Sequence, residues 1–274
     1  MKTRFPHARA ALGMLVLTAA LCIAPCRGSA EEPSAELKNR IELSGSYDYL
    51  SPHDAYCDWE TVSAAFYRKE RSDFTWYGEL SAFTRKEGKG ALGVVGAYKD
   101  WTETLYTYSA ISFGTNAVYL PKMRLDHTFN IKFGPEGKFV WLIGGTWIRY
   151  YTPHRDFILS TGVTAYLDRW VSEYRIFRNV SSPGAVESYS HLVSLAYGKE
   201  SEQWTTVVLG YGKQAYQATE LATPSEVSAN SFSVSLKHRK WLKDNYGLMT
   251  ELNYFNLQAS YERGGVLIGV FREF

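Results

Sequence analysis

The stretch RLDHTFNIKFG, residues 124–134, alternates strictly between two kinds of side chain. One set is Leu125, His127, Phe129, Ile131 and Phe133, and the other is Arg124, Asp126, Thr128, Asn130 and Lys132. Successive side chains of a β-strand point to opposite faces, so this period of two predicts a strand with one apolar and one polar face. Residues 170–176 and 231–239 repeat the pattern.

Similar stretches along the chain predict an all-β protein of about fourteen strands, with twelve as the alternative. The predicted strands begin near Arg40, Tyr56, Ser72, Lys89, Trp101, Met123, Lys138, Arg155, Arg169, Val186, Gln203, Ser231, Tyr246 and Gly264. Tight turns such as 134–137 and 168–169 alternate with longer connections such as 114–122 and 213–230. Such sorting is expected of a transmembrane antiparallel up-and-down β-barrel in an outer membrane, whereas a soluble sandwich or lipocalin-like barrel does not require it.

The N-terminal segment 1–30 has the parts of a secretory signal: a basic start, a short apolar stretch and small residues before the predicted cleavage site. We therefore expect a signal peptide at 1–30, a short periplasmic leader at 31–39 and the barrel at 40–274. A lipoprotein signal at Cys22 or Cys26 is a weaker alternative, because neither cysteine follows a small residue.

The charge and cysteine content narrow the function classes. The whole chain has 30 basic and 28 acidic residues, and four of the basic ones lie in the predicted signal, so the mature chain is slightly acidic. Nothing then indicates nucleic-acid binding. The mature chain keeps a single cysteine, Cys57, which excludes an internal disulfide.

Aromatic residues are abundant, with 20 Tyr, 14 Phe and 8 Trp. Seven tryptophans lie at or near predicted strand ends: Trp59, Trp101, Trp141, Trp147, Trp170, Trp204 and Trp241. Aromatic girdles of membrane barrels occupy the two interfaces, so we expect most of these side chains to face outward at the barrel rims.

The stretch GGVLIGVFREF, residues 264–274, reads as a final strand that ends on an aromatic residue. One face of this strand carries Val266, Ile268, Val270 and Phe274. We expect this face to contact lipid and to act as the signal that the barrel-assembly machinery recognises. Arg272 departs from the pattern, but near the interface it can extend its charge to the lipid headgroups.

A catalytic site on the lipid face would need a nucleophile within hydrogen-bond reach of a base. His127 and His191 fall on predicted lipid faces, and Ser190 and Ser194 lie close to His191 in sequence but alternate to the opposite face. No triad is evident, and we do not expect an enzyme.

Metal and cofactor sites are not expected either. His53, Asp54 and Asp58 form one candidate metal group, and His154 with Asp156 forms another, but neither has the spacing of a zinc or EF-hand site. The sequence contains no phosphate-binding loop and no dinucleotide fingerprint.

The lumen is the better candidate for function. The alternation predicts that eight polar residues line it: Asp126, Asn130, Lys132, Glu173, Arg175, Lys237, Arg239 and Glu251. Tyr106 and Tyr108 are also predicted to point inward, where they could stack on sugar rings or only fill space. The long segment 213–230 is a candidate gate, or else a surface loop.

Three stretches resemble the YaiO family of outer-membrane β-barrels: WLIGGTWIRYY at 141–151, SHLVSLAYGKESEQWTTVVLGYGKQAY at 190–216, and GGVLIGVFREF at 264–274. The resemblance implies an outer-membrane location and a setting linked to surface polysaccharide. Three functions remain open: a passive or gated conduit, with saccharides as possible cargo; a non-conducting structural or surface-interaction barrel; and a lipid-modifying enzyme. Outer-membrane lipid and the assembly machinery are the other expected partners.

Overall fold

The computed structural model of the protein describes residues 39–213, 230–258 and 260–274, apart from the side chain of residue 244. These residues form a closed barrel of antiparallel strands, in which each strand is hydrogen-bonded to its neighbours in the sequence and the last pairs with the first. In the described ranges, no helix is long and apolar enough to cross a membrane.

The fourteen strands are β1 (Asn39–Ser51), β2 (Trp59–Arg71), β3 (Phe74–Arg85), β4 (Gly88–Asp100), β5 (Leu105–Gly114), β6 (Met123–Phe133), β7 (Phe139–Arg149), β8 (Arg155–Leu167), β9 (Trp170–Ser182), β10 (Val186–Lys199), β11 (Gln203–Lys213), β12 (Asn230–Trp241), β13 (Tyr246–Leu257) and β14 (Tyr261–Glu273). A four-residue helix, α1 (His53–Tyr56), follows β1, and single 3-10 turns lie at Pro135–Gly137 and Lys243–Asn245. The prediction of about fourteen antiparallel up-and-down strands is confirmed.

The largest boundary difference is at β5, which begins at Leu105 and not at Trp101. The hydroxyl oxygen of Thr102 accepts hydrogen bonds from the backbone N–H groups of Thr104 and Leu105, at 3.2 and 3.0 Å. This local turn competes with strand pairing, as threonine side chains often do in connections.

Two other strands also begin away from the predicted positions. β2 begins at Trp59 and not near Tyr56, because the chain first makes the helix α1. β14 begins at Tyr261 and not at Gly264, because Tyr261 pairs with Leu257 of β13 and packs inside the barrel. The other strands begin within two residues of the predicted positions.

The barrel closes where β14 meets β1. The backbone N–H of Phe274 donates to the carbonyl oxygen of Asn39, and the reverse bond has the same length, 2.9 Å. Strand β14 and the residue that follows it present the predicted lipid-facing side chains outward, each between 36% and 48% exposed: Val266, Ile268, Val270 and Phe274.

The two rims of the barrel differ. One rim, called here the short-turn rim, carries tight connections such as 72–73 and 168–169 and the ends of β1 and β14 that meet at Asn39. The opposite long-loop rim carries the connections 52–58, 115–122 and 214–229, the last of which lies outside the described residues.

Apolar packing inside the barrel is concentrated towards the long-loop rim, in three clusters of buried side chains. The first contains Leu50, Trp59, Phe255, Leu257 and Tyr261; the second contains Ile148, Tyr150, Ile158 and Phe177; and the third contains Leu92, Tyr119 and Leu120. The interior is therefore mainly apolar near the long-loop rim and, as described next, mainly polar through the middle of the bore, while Trp241 and Phe271 are buried towards the short-turn rim.

Candidate functional site in the lumen

The inward face of the strands is identified by contacts that cross the bore. Nη2 of Arg239 on β12 lies 2.8 Å from Oε1 of Glu42 on β1, although β13 and β14 separate these strands in the wall. Only side chains that point into the lumen can meet in this way. Since alternate residues share a face, this contact fixes the inward set of every strand.

All eight polar residues that the sequence assigned to the lumen lie on this inward face. Four line one cavity and three line a second: Asp126, Asn130, Glu173 and Arg175 in the first, and Lys237, Arg239 and Glu251 in the second. Lys132 lies opposite the buried Val140 of β7, and its ammonium is 5.6 Å from the centre of the Tyr106 ring.

The first cavity, called here the tyrosine cavity, has a volume of about 530 Å³ and is lined by β3 to β9. Five tyrosines on four strands define it: Tyr77, Tyr98, Tyr106, Tyr108 and Tyr166. The hydroxyls of Tyr77 and Tyr108 are 2.6 Å apart, and the rings of Tyr98 and Tyr108 are 4.9 Å apart. Strand pairing thus brings together rings from distant parts of the chain.

Most of the remaining lining of the tyrosine cavity is polar, and it includes two ion pairs. Nε and Nη2 of Arg124 donate to the carboxylate of Asp126 at 2.8 to 3.1 Å. Asp126 also accepts a hydrogen bond of 2.6 Å from the hydroxyl of Thr146. Arg175 pairs with Glu173 at 3.1 Å, so each guanidinium already has a carboxylate partner.

The second cavity, of about 470 Å³, lies mainly beside β1 and β11 to β14. It is dominated by charge: Glu42 contacts both Arg40 and Arg239 at 2.8 Å, and Lys237 lies 3.4 Å from Glu251. We call it the ion-pair cavity. Both signs are present in close pairs, as is usual where charged groups share a confined space.

The connection 115–122 folds into the mouth of the barrel at the long-loop rim. Tyr119 and Leu120 are fully buried, and the hydroxyl of Tyr119 donates to the carbonyl of Gly88 at 2.9 Å. Burial raises the pKa of the Tyr119 phenol, although the guanidinium of Arg85 acts in the opposite direction. This connection therefore narrows the bore from the long-loop side.

Arg85 links this connection to the rest of the mouth. Its guanidinium lies 3.8 Å from the centre of the Trp59 ring and 4.4 Å from that of Tyr119, in cation–π geometry. Arg263 approaches Trp59 as well, at 5.4 Å, and lies 3.7 Å from Asp48. Aromatic and cationic side chains of β2, β3, β14 and the connection 115–122 are thus in contact at the mouth.

The tryptophan prediction was wrong for part of the set. Trp59 and Trp241 face inward and are only 4% and 7% exposed, and Trp204 shares the inward face with Arg239. Strand ends close to a rim can place an aromatic residue in the mouth as well as in the girdle, and alternation decides between the two. Trp101, Trp141 and Trp170 are largely exposed. The gate prediction for 213–230 concerns residues almost wholly outside the described ranges.

The outward histidines each have a hydroxyl partner on a neighbouring strand. The pairs are Ser109 with His127 at 2.8 Å, Tyr174 with His191 at 2.9 Å, and Thr205 with His238 at 2.9 Å. Ser190 and Ser194 face inward, on the opposite face from His191. The sequence analysis missed Ser109, because its approach to His127 depends on the pairing register of β5 and β6.

The Ser109–His127 pair is the arrangement that a lipid-facing nucleophile and base would need. Its geometry, however, is shared by the two other histidine pairs, one of which contains a tyrosine and the other a threonine. In hydrocarbon, each polar group must find a partner within the protein. That requirement accounts for all three pairs together.

The two candidate metal groups each supply a histidine and a carboxylate. His53 lies 3.3 Å from Asp58, and His154 lies 3.4 Å from Asp156. In the described part of the chain, no group of three or more histidine, cysteine or acidic side chains is arranged to hold a metal ion. Asp156 is fully buried and also accepts hydrogen bonds from Ser181 and Asn179.

A closed antiparallel barrel with an apolar outer wall and a polar bore is the architecture of an outer-membrane β-barrel. The family model described as the YaiO membrane beta barrel domain matches residues 38–217. The chain therefore belongs to the YaiO membrane beta barrel family. The family prediction is confirmed.

Solved structures with the same architecture include porins. The outer membrane protein Omp33 of Acinetobacter baumannii is 11% identical, with a TM-score of 0.53, over 88% of this chain and all of that one. The anion-selective porin of Comamonas acidovorans is 7% identical, with a TM-score of 0.47, over 87% of this chain and 99% of that one. A KdgM porin in complex with disordered oligogalacturonate is 9% identical, with a TM-score of 0.45, over 85% of this chain and 99% of that one. No curated protein matches the chain. At these identities the likeness concerns the fold alone.

Proposed function

We propose that the protein is a gated channel of the outer membrane that conducts polar solutes, with saccharides as its cargo. The observation that carries this proposal is the tyrosine cavity. Tyr98 and Tyr166 point inward, yet they are 47% and 45% exposed, so their ring faces border open space within the bore. A volume of about 530 Å³ is within the range of small-molecule sites, roughly 300 to 1,000 Å³.

The chemistry of this cavity suits a sugar. Tyrosine combines a flat apolar face with a hydroxyl, so it can cover the C–H face of a pyranose ring and hydrogen-bond to it as well. Hydroxyl, amide and carboxylate groups of the same lining supply further donors and acceptors: Thr128, Asn130, Ser160, Thr164 and Glu173.

The buried connection at the long-loop rim supports gating of this channel. Tyr119 and Leu120 fill space there that a solute would have to cross. Displacement of the connection 115–122 would open the path without any change in the strands.

Planar-bilayer recording of the purified, refolded protein tests this proposal. We expect brief openings, and we expect added oligosaccharide to block the open current. Insertion without any conductance, both in the unmodified protein and in variants whose 115–122 connection has been loosened, would refute the channel.

The second candidate is a non-conducting structural or surface-interaction barrel, and the same buried mouth favours it. The two functions differ in one respect: in a permanently filled barrel the connection 115–122 is part of the fold, so loosening it lowers stability without producing current.

We also propose that the chain is not an enzyme.

We propose further that the barrel-assembly machinery recognises the outward face of β14 before the protein inserts into lipid. Phe274→Ser should then slow insertion in cells, whereas Phe133→Ser, at another outward aromatic near the same rim, should slow it less. Equal rates for the two variants would contradict the assembly role.

A further inference from the structure

The charges that line the tyrosine cavity do not balance. Three carboxylates face it, from Glu79, Asp126 and Glu173, against the two guanidiniums of Arg124 and Arg175. With both arginines already paired, one negative charge is left over, and it belongs to Glu79.

The two arginines are engaged in ways that restrict new partners. Two nitrogens of Arg124 are directed at Asp126, and Thr146 holds the same carboxylate from β7. Glu173 is held from β8 by the hydroxyl of Thr164, at 3.0 Å, while it pairs with Arg175. Recruiting either guanidinium to a new anion would weaken a confined ion pair and leave its carboxylate less compensated.

Glu79 is placed differently. Its Oε1 accepts a hydrogen bond of 2.9 Å from Ser81, whose hydroxyl is also 2.7 Å from that of Ser63. Among the ion pairs of the described residues, none involves Glu79. Its carboxylate therefore has acceptor capacity left for a ligand in the cavity.

The aromatic side of the cavity is held in place beside this carboxylate. A Cβ atom at Gly96 would collide with the ring of Tyr77, so the absence of a side chain there lets the ring lie flat on β4. Tyr77 then reaches Tyr108 and stacks on Tyr67 at 5.4 Å. A ring fixed before binding loses little freedom when a ligand arrives.

From this arrangement we infer that the tyrosine cavity is a binding site for neutral saccharide chains and that Glu79 excludes acidic ones. The hydroxyls of a neutral sugar can donate charge-assisted hydrogen bonds to the Glu79 carboxylate while a ring packs on the tyrosines. A uronate would bring a second negative charge beside Glu79, and both guanidiniums of the cavity lining already have carboxylate partners. The inference gives the substrate class for the channel proposed above and rests on that proposal for its physiological meaning.

Isothermal titration calorimetry on the refolded protein in detergent tests the site without requiring current. The probes are three neutral hexasaccharides, maltohexaose, cellohexaose and isomaltohexaose, and one acidic chain, hexagalacturonate. We expect at least one neutral chain to bind at least roughly tenfold more tightly than the acidic chain, a factor at the low end of the Coulomb repulsion between two like charges a few ångströms apart near a protein surface.

The variant Glu79→Gln keeps the shape and removes the charge. It should weaken neutral binding by roughly threefold to tenfold, through loss of a charge-assisted hydrogen bond, and strengthen acidic binding, so that the preference falls below roughly threefold. Glu103→Gln makes the same chemical change in the exposed turn between β4 and β5, outside the cavity, and should leave every affinity unchanged.

Three results overturn the inference: equal or tighter binding of the acidic chain, no binding of any neutral chain to correctly folded protein, or a preference that persists in Glu79→Gln. A barrel that binds neutral sugars with this preference but never conducts current would refute the channel proposal and leave the binding-site inference standing.

Discussion

Leu120→Ala should open the barrel at the long-loop rim. Leu120 is fully buried, and it packs partly on backbone that has no side chain. A Cβ atom at Gly90 would lie 2.7 Å from its Cδ1, and one at Gly114 would lie 2.9 Å from its Cβ. No side chain at these two glycines can move into the space that alanine would leave.

The expected magnitude follows from that packing. Truncation of a buried leucine to alanine costs about 2 to 5 kcal/mol, and sites that cannot collapse fall in the middle or upper part of this range. With about 3.5 kcal/mol removed from the closed conformation, and tenfold for each 1.4 kcal/mol, the ratio of open to closed conformers rises by roughly 300-fold.

Single-channel recording measures this ratio as the fraction of time in which current flows. Val118→Ala is the matched control, because Val118 lies two residues away in the same connection and is 56% exposed, so its truncation should change the open fraction by less than roughly threefold. Heat-modifiable mobility in a gel would establish that both variants are folded barrels. A folded Leu120→Ala barrel whose open fraction matches that of Val118→Ala would show that the buried connection does not control the pore.

Other perturbations test the mouth, the lipid face and the packing of the barrel. Burial raises the pKa of the Tyr119 phenol, so the protonated phenol is the form that the closed mouth accommodates. The stability that buried Tyr119 gives to the closed mouth is therefore complete below the ordinary tyrosine pKa of about 10 and is lost as the pH rises through the higher folded-state pKa. Bilayer recordings should therefore show more opening in alkaline buffer, and Tyr119→Phe should lack that increase; equal pH responses would contradict the mechanism. Ser109→Ala should lower stability by about 1 kcal/mol, through loss of the hydrogen bond to its histidine, and leave the release of fatty acid from phospholipid vesicles at the background level. Release that the unmodified protein catalyses and Ser109→Ala abolishes would instead reveal an enzyme. Gly247→Ala should destabilise the barrel by about 1 to 3 kcal/mol in urea titrations, because the new methyl group collides with the buried Phe271, whereas Gly145→Ala meets open space and should be nearly neutral.

Alternation along single strands was enough to predict much of this molecule. Once strands of period two are arranged antiparallel, every second residue must share a face. The eight polar positions were then assigned to the lumen because Phe274 and the aromatic strand ends mark the other face as lipid-facing. The outward set on β14 follows in the same way. These features depend on local pattern and not on which strands are neighbours in space.

Features that depend on strand register or on irregular backbone could not be predicted from the sequence. The partnership of Ser109 with His127 requires knowledge of how β5 and β6 are aligned, and the early turn at Thr102 shifts the start of β5 by four residues from its predicted position. The inward fold of 115–122 has no periodic signature, since a buried connection is recognised only by the cavity that receives it. Among the described residues, the lack of an ion-pair partner for Glu79 likewise emerges only when the side chains around it in the bore are known.

The seam between β1 and β14 constrains how the protein can enter a membrane. Arg40 contacts Glu273 at 3.7 Å across the seam, and Glu42 contacts Arg239 at 2.8 Å across the bore beside it. In an unclosed sheet these groups would lack their partners, and moving them from the rim into hydrocarbon would cost free energy, roughly 2.5 to 3.5 kcal/mol for a charged side chain that reaches the bilayer centre. We therefore expect sheet closure to accompany transfer into the bilayer, because closure pairs these charges before they meet lipid.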